Sequence, residues 1–425
     1  MRVLVIGINY APEKTSVAPF TTGLSEHLAS KGHEVAVITA FPYYPEWRVA
    51  QGYRGRAHLT ERINNVRVQR VWHFVPRRAS NLVQRLMHDF SFTMSALLAG
   101  LFVGEFDMIY CCCPPPTLAL TAHVLAKIRG KPFVIKITDL ASDAALATGI
   151  LKEGITVRMA RAIERFAYSK ADRVVCLCQA FVEKLAARGI APERLQLIPD
   201  WADTQRVYPI AGVSAFRRAN DLTPDQFLVM HTGNMGKKQD LMNVVRAAEL
   251  SQDKPDLVWL LVGQGEERAV MEEEIRQREL RNIRLLPLQP TEGIAEMYSA
   301  ADVLLLNQKA AVEDSVIPSK LLTYMAAGRT VLAAVSERSE AARQIQEAKC
   351  GLLVPAEDPK ALVEAVFALR RDPALRQELG GNGRVYAETR FTKQNVLHEY
   401  DLLFNRYSNR KDAQPERSEK AAATR

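Results

Sequence analysis

The sequence predicts an α/β protein built as two doubly wound, parallel-sheet domains facing each other across a cleft. Three observations carry this expectation. Short β-rich runs alternate with amphipathic helical segments from the first residues. The alternation restarts after Asp200. The chain's 425 residues exceed what one such domain needs and suit two of ordinary size.

The first series opens with a strand over residues 3–7 and a helix over 17–30 that sets Phe20, Leu24 and Leu28 on one face. A strand over 34–40 completes a βαβ unit. Further strands are predicted at 66–72, 108–112, 133–138 and 173–178, with helical patterns between them. Residues 201–225 hold no sustained period and carry Pro209, Gly212 and Pro224, as a linker with a short connecting helix would. The second series places strands at 227–232, 257–263, 283–286, 303–306, 330–335 and 351–354. The expected organisation is an N-terminal domain over 1–200, the linker over 201–225 and a C-terminal domain over 226–390. A helix over 391–407 is expected to pack back on the N-terminal domain, followed by a disordered polar tail over 408–425.

Apolar residues make up 48% and charged residues 24%, proportions that exclude a fibrous or wholly disordered chain. Cys111, Cys112, Cys113, Cys176, Cys178 and Cys350 show no paired CxxC spacing. That argues against a zinc or thioredoxin-like site and for a reduced, cytoplasmic setting, with the strand cysteines acting as small core filler. The apolar start is too short for a signal h-region. Uncharged stretches at 90–104 and 108–126 are not expected to span a bilayer: the first is short and helically periodic, and Pro114, Pro115 and Pro116 break the second.

The formal charge of +8 is uneven. Between Trp47 and His88 lie Arg48, Arg54, Arg56, Arg62, Arg67, Arg70, Arg77, Arg78 and Arg85, against the single acid Glu61. A solvated basic surface is the plainer reading; attraction to an anionic membrane face or a pyrophosphate-bearing acceptor is the functional one. The helical run Leu82, Leu86, Phe90, Met94, Leu97 and Leu101 reads either as core or as part of such a lipid-facing surface. No helix-turn-helix, zinc-finger or RNP-like pattern accompanies the charge, so nucleic acid is not an expected partner.

In open parallel sheets ligands bind beyond the carboxyl ends of the strands. The first strand runs into a functional-length loop from Gly7 to Ser16 that is not GxGxxG, which argues against a dinucleotide oxidoreductase. The strand ending at Thr138 delivers Asp139, either a helix cap or a cleft residue. The strand over 227–232 leads into Gly233-Asn-Met-Gly236-Lys237-Lys238-Gln239 and then an amphipathic helix. Glycines there expose backbone N–H groups. Two exposed lysines at a helix start are unfavourable by about 0.3–1 kcal/mol each, a sign that a bound phosphate would reverse. Two solvated lysines in a flexible loop are the alternative. Gly263-Gln-Gly265 is a weaker signal of the same kind, and the segment from Asp314 to Gly328 reads as a loop entering a helix with Lys320 and Thr323 on one face. No Asp-x-Asp pair occurs and the histidines are scattered, so no metal site is expected.

Gly7-Ile-Asn-Tyr-Ala-Pro-Glu13, Lys31-Gly-His-Glu-Val35, Phe41-Pro-Tyr-Tyr-Pro-Glu-Trp47, Gly233-Asn-Met-Gly-Lys-Lys-Gln239 and Pro318-Ser-Lys320 together resemble the retaining glycosyltransferases of family 4. Within that family the resemblance is to the colanic-acid-type exopolysaccharide group, and it covers residues 2–407. It implies the GT-B fold of two Rossmann-like domains, the C-terminal one binding a UDP- or GDP-sugar and the N-terminal one presenting a lipid-linked or glycan acceptor. It also implies retention at the anomeric carbon, a departing diphosphate that can take the acceptor proton, and no metal or other cofactor. The catalytic candidates it implies are Asp139, Lys238 and Lys320. Donor contacts are implied for Gly233, Asn234, Gly236, Lys237, Gly263, Gly265, Asp314, Ser315, Pro318, Ser319 and Thr323, and acceptor-side contacts for Pro12, Glu13 and Ser16. Two features depart from the family pattern. Asn234 stands where an arginine is usual, and the Glu-x7-Glu positions fall on Ser315 and Thr323, with Glu313 or Asp314 as near substitutes. The competing expectations are a catalytically silent nucleotide-sugar-binding subunit and a nucleotide-sugar epimerase of the same fold. The expected location is cytoplasmic, peripheral on the inner face of the plasma membrane.

Overall fold

The computed structural model describes residues 1–78, 81–140, 142–143, 146, 154–212, 214–312 and 319–408. The tail expected to be disordered therefore lies outside the described residues, apart from Ser408. The chain divides into two compact units, one of Met1–Pro199 with the chain from Val396 onward, the other of Asp200–Asn395.

The first unit runs β1 (Arg2–Gly7), α1 (Ala18–Ser30), β2 (Glu34–Ala40), β3 (His58–Ile63), β4 (Val66–Val71), α2 (Leu82–Phe102), β5 (Met108–Cys113), α3 (Leu118–Arg129), β6 (Phe133–Ile137), α4 (Ile155–Ser169), β7 (Arg173–Cys176), α5 (Gln179–Ala187) and β8 (Leu195–Leu197). Its sheet has the order β3-β4-β2-β1-β5-β6-β7-β8. The central strands, such as the wholly buried Met108–Cys113, are continuous apolar runs because helices cover both faces. The free cysteines of β5 and β7 are buried there as filler.

Two strands were not anticipated. β3 pairs antiparallel with β4, through a turn in which Asn64 and Asn65 both have positive φ, the backbone a tight hairpin requires. Its sequence, His-Leu-Thr-Glu-Arg-Ile, alternates in exposure as a charged edge strand should. β8 is only three residues long. One of the nine arginines is not on the surface: Arg70 is fully buried, pairs with Glu61 and donates to the carbonyls of Ala11 and Ala40. Among the described residues no helix is long and apolar enough to cross a membrane.

The second unit runs α6 (Ala215–Ala219), β9 (Phe227–Asn234), α7 (Leu241–Leu250), β10 (Leu257–Gln264), α8 (Arg268–Gln277), β11 (Ile283–Leu286), α9 (Ile294–Ala300), β12 (Val303–Asn307), α10 (Ser319–Ala326), β13 (Thr330–Ala334), α11 (Glu340–Ala348), β14 (Gly351–Val354), α12 (Pro359–Arg371) and α13 (Pro373–Arg390). The sheet order is β11-β10-β9-β12-β13-β14, all parallel. Alternate residues of β9 feed two cores: Leu228 and Met230 pack with Tyr324 and Ile345 on one face, Phe227 and Val229 with Val244 and Leu362 on the other.

The 201–225 segment is packed rather than free. Ala202, Val207, Phe216 and Leu222 lie in the second unit's core. Arg217 donates to the carbonyls of Thr223, Gln226 and Ala300 and pairs with Asp302 at 2.8 Å. The last helix, α14 (Lys393–Ser408), belongs from Val396 onward to the first unit. There the Tyr110 hydroxyl donates to Tyr400 at 3.1 Å, and Asp401 meets His27 Nε2 at 2.8 Å.

Candidate active site

In each sheet the strand order reverses once, and a crevice forms beyond the carboxyl ends of the two strands that flank the reversal. In the first sheet those strands are β1 and β5; in the second they are β9 and β12. The candidate site residues can be placed against these two points.

β9 pairs with β12 only at Val229 and Met230, and the two strands part beyond that register. Side chains fill the gap in the ladder. The Tyr324 hydroxyl accepts the Thr232 N–H at 2.9 Å, and Thr232 Oγ1 lies 3.2 Å from the hydroxyls of both Tyr298 and Tyr324. The fully buried His231 sets Nδ1 3.2 Å from the Leu305 carbonyl and Nε2 3.2 Å from Lys320 Nζ. A carbonyl can only accept, so Nδ1 carries the proton and Nε2 accepts from the lysine. Burial first, and then the Lys320 charge, holds His231 well below its ordinary range, consistent with a neutral ring.

Lys320 thus comes from the first turn of α10 to the end of β9. The residue is half-buried, and its ammonium lies over the Gly233 backbone: a Cβ on Gly233 would stand 3.5 Å from Nζ. Gly233 also has φ +110, a conformation that disfavours any side chain. Burial pulls the Lys320 ammonium from its ordinary 10.5 down to about 7. The residue expected as a second cation is therefore a desolvated charge held by a neutral imidazole, beside backbone that only glycine suits. An anion would neutralise it there.

Lys237 and Lys238 do not start the helix, contrary to the expectation. They form a 3₁₀ turn, Lys237–Gln239, and Asp240 with φ +44 separates it from α7. The left-handed residue breaks the backbone direction, so the lysines precede the helix rather than occupying its first turn. The turn is pinned to the end of β12: the Lys309 N–H donates to the Lys238 carbonyl at 3.0 Å, and Asn307 Nδ2 donates to the carbonyls of Gln239 and Asp240 at 2.8 and 3.0 Å. Lys237 is exposed and Lys238 half-buried. Gly236 donates its N–H to Gln239 Oε1 at 3.3 Å, and a Cβ there would approach Asn234 Nδ2 at 3.1 Å.

Gly263 and Gly265 have a packing reason to be glycine. A Cβ on the first would stand 1.8 Å from the Gly233 carbonyl oxygen, and on the second 2.3 Å from that of Met235. They allow β10 to lie against the backbone that carries Gly233. Ser319 and Thr323 accompany Lys320 on α10, Ser319 exposed and Thr323 half-buried, whereas Asp314, Ser315 and Pro318 lie outside the described residues, as does Glu313.

At the switch point of the first sheet, β1 enters the loop that holds Pro12, Glu13 and Ser16. Glu13 Oε1 accepts the backbone N–H groups of Tyr43 and Tyr44, both at 2.8 Å, and Oε2 accepts from Asn9 at 2.9 Å. Its carboxylate ties two loops together. Pro12 and Glu13 line a cavity of about 480 Å³ with Lys14, Tyr44, Arg48 and Arg54 among its walls. Ser16 is exposed at φ +59 and is not part of that lining. Asp139 follows the end of β6, one strand away from the switch point, and is half-buried.

Sequence reasoning missed His231, Tyr298, Tyr324 and Asn307. Their common signal is a polar side chain at, or aimed at, the carboxyl end of a buried strand in the second unit. Among the described residues no group of three or more His, Cys, Asp or Glu side chains could hold a metal ion.

A chain of two doubly wound units, with a lysine held by a buried histidine at the switch point of the second, has the construction of a GT-B glycosyltransferase. Solved structures agree on the fold. Sucrose-phosphate synthase from Thermosynechococcus elongatus superposes with a TM-score of 0.74 at 18% identity, over 95% of this chain and 98% of that one. Anabaena Alr3699/HepE in complex with UDP and glucose gives 0.70 at 14% identity, over 95% and 99%. The family described as "Glycosyl transferase 4-like domain" matches residues 15–201, and "Glycosyl transferases group 1" matches 213–386. Over 407 residues the sequence is 34% identical to the colanic acid biosynthesis glycosyl transferase WcaI of Escherichia coli (strain K12), covering 94% of this chain and 98% of that protein. The chain belongs to the family-4-type, group-1 glycosyltransferases and is an enzyme of that class.

Proposed function

We propose that this enzyme transfers a sugar from a UDP- or GDP-sugar to a lipid-linked or glycan acceptor during assembly of exopolysaccharide or another cell-surface glycan, with retention at the anomeric carbon. The relative WcaI is named for colanic acid biosynthesis, and the HepE neighbour was solved with UDP, which supports both the pathway class and the donor class. The observation that carries the reading is the Lys320 ammonium held by His231 over the Gly233 backbone.

In the reaction the bond from the anomeric carbon to the diphosphate oxygen breaks, and the acceptor oxygen bonds to that carbon on the same face. The acceptor proton passes to the departing diphosphate. Lys320 and Lys238 neutralise the charge that grows on that group, a contribution that requires no metal. Gly233, Asn234, Gly236, Lys237, Ser319 and Thr323 line the donor side. Asp139 contacts substrate from the first unit, and the cavity beside Pro12 and Glu13 receives the acceptor. Thermal-shift titration with UDP, GDP and their sugars tests the donor assignment, because a ligand that binds only the folded state raises its melting temperature. A shift with one nucleotide series that is abolished in Lys320→Met supports the reading. No shift with any of them contradicts it.

A further inference from the structure

One surface of the first unit is unexplained by sugar transfer. α2, 21 residues and about 31 Å long, packs on α3, and α3 packs on α4, so the three form a layer over one face of the sheet. Leu82, Leu86, Phe90, Met94, Leu98 and Phe102 recur every four residues along α2 and are all exposed, Phe90 to 64% and Phe102 to 85%. Val124 and Ile128 on α3, and Ile163 and Phe166 on α4, extend the apolar surface.

The rest of this surface is cationic. Every exposed residue of α2, α3 and α4 whose side chain is described is either apolar or basic, the basic ones being Arg85, Lys127, Arg129, Arg158 and Arg165. Exposed Arg77 and Arg78 precede α2. The three helices carry two acids, Asp89 and Glu164, and neither is exposed: Asp89 is half-buried, where burial pushes it up to about 6, and Glu164 is buried against Ser142.

We infer that this three-helix face is a docking surface for an anionic lipid bilayer, in which α2 lies flat at the interface with its side chains among the acyl chains and the arginines and lysines at the phosphates. A second copy of the chain is the poorer occupant, because it would set cation against cation with no exposed acid among the described residues of the three helices. An anionic bilayer supplies both halves of the match, an apolar interior and a negative surface. The inference does not rest on the transfer reaction.

The test is flotation of the whole protein with vesicles of phosphatidylcholine alone and of phosphatidylcholine with about one part in four phosphatidylglycerol. Wild-type protein binds the phosphatidylglycerol vesicles at low salt, at least about tenfold more strongly than the neutral ones, and is released by about 0.5 M salt. Phe90→Ser/Leu98→Ser/Phe102→Ser reduces binding at least about tenfold, and so does Arg77→Glu/Arg78→Glu. Both variants retain the wild-type melting temperature and nucleotide binding, since the altered side chains are exposed. Failure of the wild type to bind phosphatidylglycerol vesicles at low salt overturns the inference, as does undiminished binding by the triple-serine variant. A concentration-dependent dimer that the triple-serine variant abolishes would assign the face to a second copy instead.

Discussion

Replacing Lys320 with methionine removes one charge while leaving an unbranched stem in the same space. In the free enzyme burial sets the ammonium near 7, so about half the molecules carry the charge at pH 7 and about one in a hundred at pH 9. A bound diphosphate favours the charged form, and binding must take up a proton wherever the free enzyme lacks it. Nucleoside diphosphate affinity should therefore fall as pH rises above about 7, by up to about tenfold or about 1.4 kcal/mol per unit, until the pH reaches the raised value of the complex. Calorimetric titration of UDP and GDP from pH 7 to 9 measures the slope. Lys320→Met should bind weakly with a flat profile, and Lys320→Arg, which stays charged, should also be flat but tighter at pH 9. Without ligand the sign is opposite. The folded value lies below the ordinary 10.5, so the unfolded chain binds the extra proton between about 7 and 10.5, and stability rises with pH through that window. Lys320→Met should then melt above wild type at neutral pH. A methionine variant that keeps the wild-type pH slope would refute the assignment of the anion contact to Lys320.

Other consequences can be checked on the same protein. Lys238→Ala should lower kcat by roughly 10²-fold while weakening donor binding less, because it acts on charge that grows as the bond breaks; Lys237→Ala, exposed in the same turn, should remain near wild type in initial-rate assays. Transfer should persist in EDTA, and a complete loss restored by magnesium or manganese would contradict the lysine-based account of the leaving group. Gly263→Ala would drive a Cβ to 1.8 Å from the Gly233 carbonyl oxygen; it should cost at least about 1–3 kcal/mol in denaturant unfolding and weaken nucleotide binding, since the backbone under Lys320 must shift.

The two sheets were legible because their central strands are unbroken apolar runs bounded by glycine or polar residues, as in Val-Leu-Val-Ile-Gly at β1 and Leu-Val-Trp-Leu-Leu-Val-Gly at β10. β3 was not legible. Its alternating His58–Ile63 faces water at a sheet edge, and the tight turn at Asn64 and Asn65 is its clearest mark. Lys238 and Lys320 could be singled out from glycine-rich loops and a resemblance, but what positions them could not. His231 owes its role to a lysine 89 residues away, and Gly263 to a carbonyl on the neighbouring strand. The two lysines were read as lying at a helix start, whereas a left-handed Asp240 separates their turn from α7. Arg70 looked like one more surface cation in a basic stretch, and only the packing of β3 and the β1 loop around it makes it a buried structural tie.

The proposed reaction moves a sugar from a nucleoside diphosphate to an acceptor, with the two lysines of the second unit stabilising the leaving group. Its most direct test incubates purified protein with each UDP- and GDP-sugar and a polyprenyl-diphosphate-linked acceptor, measuring released nucleoside diphosphate and glycosylated acceptor together. Release should be matched one for one by product that keeps the donor's anomeric configuration, and both should be lost in Lys238→Ala/Lys320→Met. Sugar conversion without an acceptor, or nucleotide binding with no transfer to any acceptor, would contradict it.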